Sequence, residues 1–124
     1  MPRNLVVGNG NLLINFDTDY NIRDIYYPYV GMENHSRDCV SRTGIWVDGM
    51  FAWIDSPEWQ KEMTYDRESL VTRVVAVNPA VGLTLTFSDL VDFDSDIFVR
   101  QVEITNHQDH PRDVRLFSIM NYRF

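Results

Sequence analysis

Lysine is almost missing from this chain. Of eleven basic residues ten are arginines, Lys61 being the exception, and they stand singly against eighteen acidic residues, for a net charge of −7. A field of that sign with no basic cluster makes nucleic acid and anionic membrane surfaces poor partners, and neither is expected. Cysteine occurs once, as Cys39, so an internal disulfide is impossible and a stapled secreted scaffold is not the design; a buried free thiol is the plain reading. No apolar run approaches the ~20 residues that a membrane-spanning helix needs, and no charged segment followed by an apolar run opens the chain. A soluble, cytoplasmic protein is the expectation, although a secreted protein relieved of its leader would read the same. Low-complexity tracts, internal repeats and linkers are also missing.

What is present is enough for one domain over residues 1–124. A chain of this length typically buries about two-thirds of the surface it exposes when unfolded. Hydrophobic residues make up 44% and aromatics 13%, a richness in rings that suits strands or a carbohydrate-facing surface better than a helical bundle.

Alternation dominates the pattern. In Leu83-Thr84-Leu85-Thr86-Phe87-Ser88 apolar residues and hydroxyls take turns, the period of a half-buried strand. Leu70 to Val77 and Ile97 to Thr105 read the same way, and turn signals bound them at "NPAVG", "DFDSD" and "NHQDHPR". "GNGN" (Gly8 to Asn11) and Asp48-Gly49 each lie between apolar runs and supply the positive φ angles of tight hairpins. Only "SPEWQKEM", Ser56 to Met63, predicts helix: Ser56 as N-cap, Pro57 at the first position, and Trp59 and Met63 four apart. Seven or more short strands predict an all-β, antiparallel β-sandwich with at most this one short helix. Val114 to Tyr122 carries apolar residues on both faces, which predicts a central strand lacking its neighbour.

Several clusters imitate chemistry. Asp17-Thr18-Asp19-Tyr20-Asn21 opens like a calcium loop, but Ile22 stands where glycine belongs and Pro28 where the closing glutamate belongs, so an Asx-type turn is the better reading. Asp92-Phe93-Asp94-Ser95-Asp96 has Glu103 at the closing place, yet Ile97 replaces the glycine and the following residues alternate as a strand; a solvated acidic turn is preferred. His107 and His110 flank Asp109, and two histidines before Pro111 do not make a structural zinc site. Asn34-His35-Ser36 is a glycosylation sequon that matters only in a secreted chain. Nucleophile elbow, phosphate-cradling loop and cysteine–histidine pair are all missing, and no carboxylate stands in a context that marks it as buried and raised in pKa. No catalytic residue, metal site or cofactor is assigned from the sequence.

One multi-part pattern does carry a resemblance. "NGNLLINFDTDYNIRDIYYPYVGMENH", Asn9 to His35, resembles the opening of the bacterial and archaeal glucoamylase-like enzymes of glycoside hydrolase family 15, in which an "NGNLL" strand leads to a "DxYYPxxGxENH" segment; here that segment is Asp24, Tyr26, Tyr27, Pro28, Gly31, Glu33, Asn34 and His35. The likeness continues through "GIWVDGMFAWI", Trp59 to Tyr65, "LVTRV" and "DIFVRQVEITN". It implies an amino-terminal "super-sandwich" of the galactose mutarotase kind set before an (α/α)6 barrel, in an enzyme whose barrel glutamates release glucose from α-glucosides with inversion. The barrel lies outside this chain, so no catalytic residue transfers to it. By the resemblance, this chain is a non-catalytic domain that packs against and supports the barrel, with Tyr26, Tyr27, Tyr29, Glu33, Asn34 and His35 forming the barrel-facing or substrate-adjacent loop. The alternatives are a free-standing carbohydrate-binding module, with Trp46, Trp53 and Trp59 as a stacking platform, and a ligand-free assembly domain. Domains of this kind are usually about twice this length, so a partial sandwich with uncovered strand edges, and hence a homo-oligomer, is also expected.

Overall fold

The computed structural model describes residues 5–28, 34, 41–65, 71–92 and 94–120. Among the described residues ten strands follow one another: β1 (Val6–Gly8), β2 (Leu13–Phe16), β3 (Ile22–Tyr26), β4 (Arg42–Val47), β5 (Met50–Trp53), β6 (Gln60–Tyr65), β7 (Thr72–Asn78), β8 (Leu83–Val91), β9 (Phe98–Asn106) and β10 (Val114–Ile119). They form three antiparallel sheets, in the orders β1-β2-β3, β10-β4-β5 and β6-β7-β8-β9. The fold is all-β and sandwich-like, as the alternation predicts. Among the described residues no helix is long and apolar enough to cross a membrane.

Turn chemistry sets the registers. Asp48 and Gly49 take φ angles of 52° and 77°, the two consecutive left-handed residues of a type I′ turn, and Val47 and Met50 pair directly across it. The β1–β2 hairpin is looser than a two-residue turn, closing after the Gly8–Leu13 pair. Asn9 Oδ1 there accepts the amides of Asn11 and Leu12 at 3.0 Å each. Asp17 organises the β2–β3 turn in the same way, its Oδ1 accepting the amides of Asp19 and Asn21 at 2.9 Å. That carboxylate is spent on backbone, the Asx-type arrangement expected for a chelate that cannot close.

The helix predicted at Ser56 to Met63 does not form. One turn closes, Trp59 N donating to Ser56 O at 3.2 Å, and from Gln60 onward the chain pairs with β7 over six residues. Residues four apart share a face in a strand as well as in a helix, so the Trp59–Met63 spacing could not separate the two. A helix of one or two turns carries the cost of nucleation without the bonds of propagation, and the ladder to β7 prevails.

All three sheets feed one core. Ile14, Phe16 and Ile22 from the first sheet, Ile45 and Val47 from the second, and Val74, Ala76, Leu83, Leu85 and Phe87 from the third are buried together. Mutual hydrogen bonds between Ile22 and Ser41, at 3.0 and 3.1 Å, link β3 to the start of β4. At one end of the fold Arg112 acts as a clamp: its side chain, 3% exposed, donates to Asp48 Oδ2 at 2.8 Å and to Asn106 Oδ1 at 3.3 Å. The hairpin tip of one sheet is thereby held to the strand end of another. Tyr65 performs a similar service for β1, its hydroxyl accepting from Val6 N at 2.9 Å and donating to Val6 O at 3.0 Å.

Candidate interaction surface

The segment singled out by the resemblance starts on β3. Side chains on this strand alternate, so Ile25 enters the core, Tyr26 is half-buried, and Tyr27 and Pro28 are exposed beyond the strand end. The Tyr27–Pro28 peptide bond is cis. Asn34 returns to β3 through an isolated bridge with Tyr26, donates to Asp24 Oδ1 at 2.7 Å, and accepts the amide of Ile25 at 3.0 Å. Asp24 in turn takes Arg23 Nε at 2.9 Å and Asn15 Nδ2 at 3.3 Å. The two ends of the loop are thus fastened by the motif's own Asp24 and Asn34, and Tyr27, 42% exposed, is presented at its rim. Tyr29, Glu33 and His35 lie outside the described residues, as does Cys39.

A second surface was not anticipated as a unit. On β4, Arg42, Gly44 and Trp46 lie on the face opposite the core. Their cross-strand neighbours are Trp53 and Phe51 on β5 and Ile119, Phe117 and Arg115 on β10. Phe51 meets Trp53 edge-on at 4.9 Å and Phe117 at 5.8 Å, over the space left by the missing side chain of Gly44. The guanidinium of Arg42 lies 4.0 Å from the Trp53 ring centroid and that of Arg115 lies 5.4 Å from that of Trp46. Arg42 is itself fixed by a two-point ion pair with Asp55, at 2.8 and 2.9 Å. That pair holds the Asp55 carboxyl below its usual range and the Arg42 guanidinium above its own.

These rings do not form the anticipated three-tryptophan platform. Trp59 is buried, 3% exposed, and belongs to the core. A guanidinium already lies over Trp53, and the rings of Phe51 and Trp53 stand nearly perpendicular, at 84°, where a flat sugar-stacking row needs open faces.

A third constellation is buried. Asp89 on β8 stands directly opposite Arg100 on β9. Its Oδ1 accepts Arg100 Nε at 2.7 Å, and its Oδ2 accepts the Thr72 hydroxyl at 3.1 Å and the hydroxyl of Tyr20. Arg100 also donates to Thr43 Oγ1 at 3.1 Å, and its charge sits within 6 Å of the ring centres of Phe16, Tyr20, Phe87 and Phe98. Burial holds the Tyr20 phenol well above its ordinary pKa; Arg100 opposes that shift and Asp89 reinforces it. Every oxygen of Asp89 is engaged, and the fully buried carboxylate offers no approach to a substrate. The sequence held a signal for it: the core positions of β8 run Leu83, Leu85, Phe87, Asp89, an acid at the end of an inward-facing series.

The remaining candidates resolve into structure. Asn9 Nδ2 donates to the backbone oxygens of Asp92 and Ser95, at 2.9 and 3.1 Å, and to Asp96 Oδ1 at 3.0 Å, so an amide occupies the mouth of the "DFDSD" turn. His107 Nε2 lies 2.6 Å from Thr84 Oγ1, while His110 Nδ1 faces Asp109 at 3.2 Å; the two rings turn to different partners. Among the described residues no group of three His, Cys, Asp or Glu side chains is placed to hold a metal ion. Gln60, Lys61, Glu62, Val75 and Val77 line a dip of about 210 Å³, below the ~300 Å³ at which small-molecule pockets begin. No family model, curated protein or solved structure matches the chain.

Proposed function

We propose that this chain is a non-catalytic β-sandwich domain of a glucoamylase-like glycoside hydrolase, and that it packs against and supports a catalytic (α/α)6 barrel of the same polypeptide. The observation that carries the reading is the Asp24–Asn34 clamp. Two residues of the resembling motif, ten positions apart, bond to each other and to the β3 backbone, which gives the "DxYYPxxGxENH" pattern a physical reason to recur as a unit. A loop fastened at its base and carrying an exposed tyrosine at its rim is suited to an interface that is partly wet, since the ring packs while the hydroxyl finds a partner. Contact with α-glucan comes through the barrel. The carbohydrate-module alternative is weaker, because Trp59 is in the core and Arg42 occupies the face of Trp53.

The test starts from the reading frame around Phe124 and, where the reading holds, uses the complete enzyme. Downstream, that frame is expected to encode a helical barrel with two suitably placed glutamates. In that protein Tyr27→Ala and Glu33→Ala weaken domain docking and lower turnover on maltotriose, isomaltotriose or trehalose. A frame without a barrel, or unchanged docking and turnover in both variants, removes the reading. Calorimetry of the 124-residue chain with the same three sugars tests the alternative module directly, with no heat of binding expected.

A further inference from the structure

We propose that β10 is a self-association strand: two copies of this chain pair their β10 edges antiparallel about a two-fold axis at Phe117, joining two three-stranded sheets into one of six. With or without a barrel, an edge strand presents unpaired amides and carbonyls to any passing chain, so each described sheet edge needs a guard.

Most edges are blunted. The outer edge of β1, three residues long, is capped by the Tyr65 hydroxyl on Val6 N and O. The free side of β3 is occupied by the bridges to Ser41 and Asn34. β5 is four residues long, β6 carries Lys61 and Glu62, and β9 sets Gln101, Glu103 and Thr105 beside the exposed Val99 on its outward face. Such charges and short lengths are the usual protections.

β10 has little of this. It pairs with β4 through six consecutive residues with no bulge, contains no proline, and bears a single charge, Arg115. Leu116 on its core-facing side and Phe117 and Ile119 on the other are 40%, 44% and 46% exposed, so both faces of an edge strand are apolar. A strand with that pattern is built to be interior to a sheet. With Phe51 and Met120 the apolar surface on the two faces of this edge amounts to on the order of 400 Å² per copy, about the size of the largest apolar patch on a typical monomer, which is often functional.

A second copy fits this edge by its own symmetry. In the register centred on Phe117, each Phe117 faces its counterpart, Leu116 faces Ser118 of the partner subunit, and Arg115 faces Ile119 of the partner subunit. No like charges oppose each other, as Arg115 would oppose itself in a register centred on that residue. The repulsion expected between two chains of charge −7 is muted here, because the charged residues from Arg112 to Ile119 are Arg112, Asp113 and Arg115. The joined sheet sets the two aromatic faces side by side.

Sedimentation velocity on the 124-residue chain is expected to show a dimer at micromolar concentration. Ile119→Lys, at an exposed position, shifts it to a monomer with an unchanged far-ultraviolet spectrum, while Val99→Lys, on the β9 edge, leaves the dimer intact. In a Cys39→Ser background, Phe117→Cys forms an intermolecular disulfide under mild oxidation and Val99→Cys does not, since directly opposed residues bring their Cα atoms within ~5.5 Å. A compact monomer in the unmodified chain overturns the proposal. So does a dimer that survives Ile119→Lys, one lost equally in Val99→Lys, or cross-linking that favours position 99.

Discussion

Arg100 and Asp89 face each other across β9 and β8, with Nε and Oδ1 2.7 Å apart in a setting where Asp89 is fully buried. Both carboxylate oxygens of Asp89 have donors, and the guanidinium is wrapped by four aromatic rings. Desolvation of both charges offsets much of their attraction, so the pair tells more about specificity than about net stability. Removing one partner is another matter. Asp89→Ala strands a buried guanidinium and should cost about 3–5 kcal/mol in urea unfolding. The Asp89→Leu/Arg100→Met double variant should lose far less than the sum of its single changes, and an additive result would contradict the coupling.

The Arg112 clamp leads to an asymmetric expectation. Asp48 is half exposed and water can replace it, so Asp48→Ala should cost under about 1 kcal/mol. Arg112→Ala leaves the clamp's acceptors short of a donor and opens a hole beneath the β9–β10 connection, at roughly 2–3 kcal/mol. Thermal unfolding of the two variants side by side settles the order.

The Asn9 side chain makes five hydrogen bonds and ties two turns together. Asn9→Ala should lose roughly 1–2 kcal/mol. Asn9→Asp keeps the acceptor for Asn11 and Leu12, loses the donors, and sets a second negative charge beside Asp96. It should be the worse of the two at neutral pH and should recover towards the alanine value in high salt, where the repulsion is screened.

Acid sensitivity follows from Asp55. Its bond to Arg42 holds the carboxyl below the ordinary value of 3.8, so near that pH the unfolded chain binds more protons than the folded one. The stabilisation is present above about pH 4 and is lost as pH falls through the lower folded value. The stability gap between the parent chain and Asp55→Asn should therefore be widest near neutrality and close towards about pH 2, as chemical denaturation at the two pH values would reveal. Tyr20 works at the other extreme. Its raised pKa keeps the folded phenol protonated while the unfolded one ionises, so stability falls as pH rises above 10.0, and Tyr20→Phe should flatten that alkaline loss.

The strands and the tightest turn were legible because their causes are local. Alternation from Leu83 onward and the Asp48–Gly49 pair need only neighbouring residues to act. Gln60–Tyr65 misled because a spacing of four satisfies two geometries, and the choice between them falls to pairing with the following strand, β7, which the helix signals at Ser56 and Pro57 do not report. The aromatic face was hidden for a related reason: Trp46, Phe51 and Trp53 are close in sequence, but Phe117 and Arg115 join them only through the pairing of β10 with β4, about seventy residues away. The Asp24–Asn34 bond likewise spans a loop whose residues announce a motif without announcing which of them touch.

The hydroxyl of Tyr65 on Val6 has a consequence for how the chain behaves when crowded. A single phenol stands in for an absent strand, saturating the place on β1 where another molecule could template itself. Tyr65→Phe removes one oxygen and leaves the ring, so the fold should persist while its first sheet becomes open to growth.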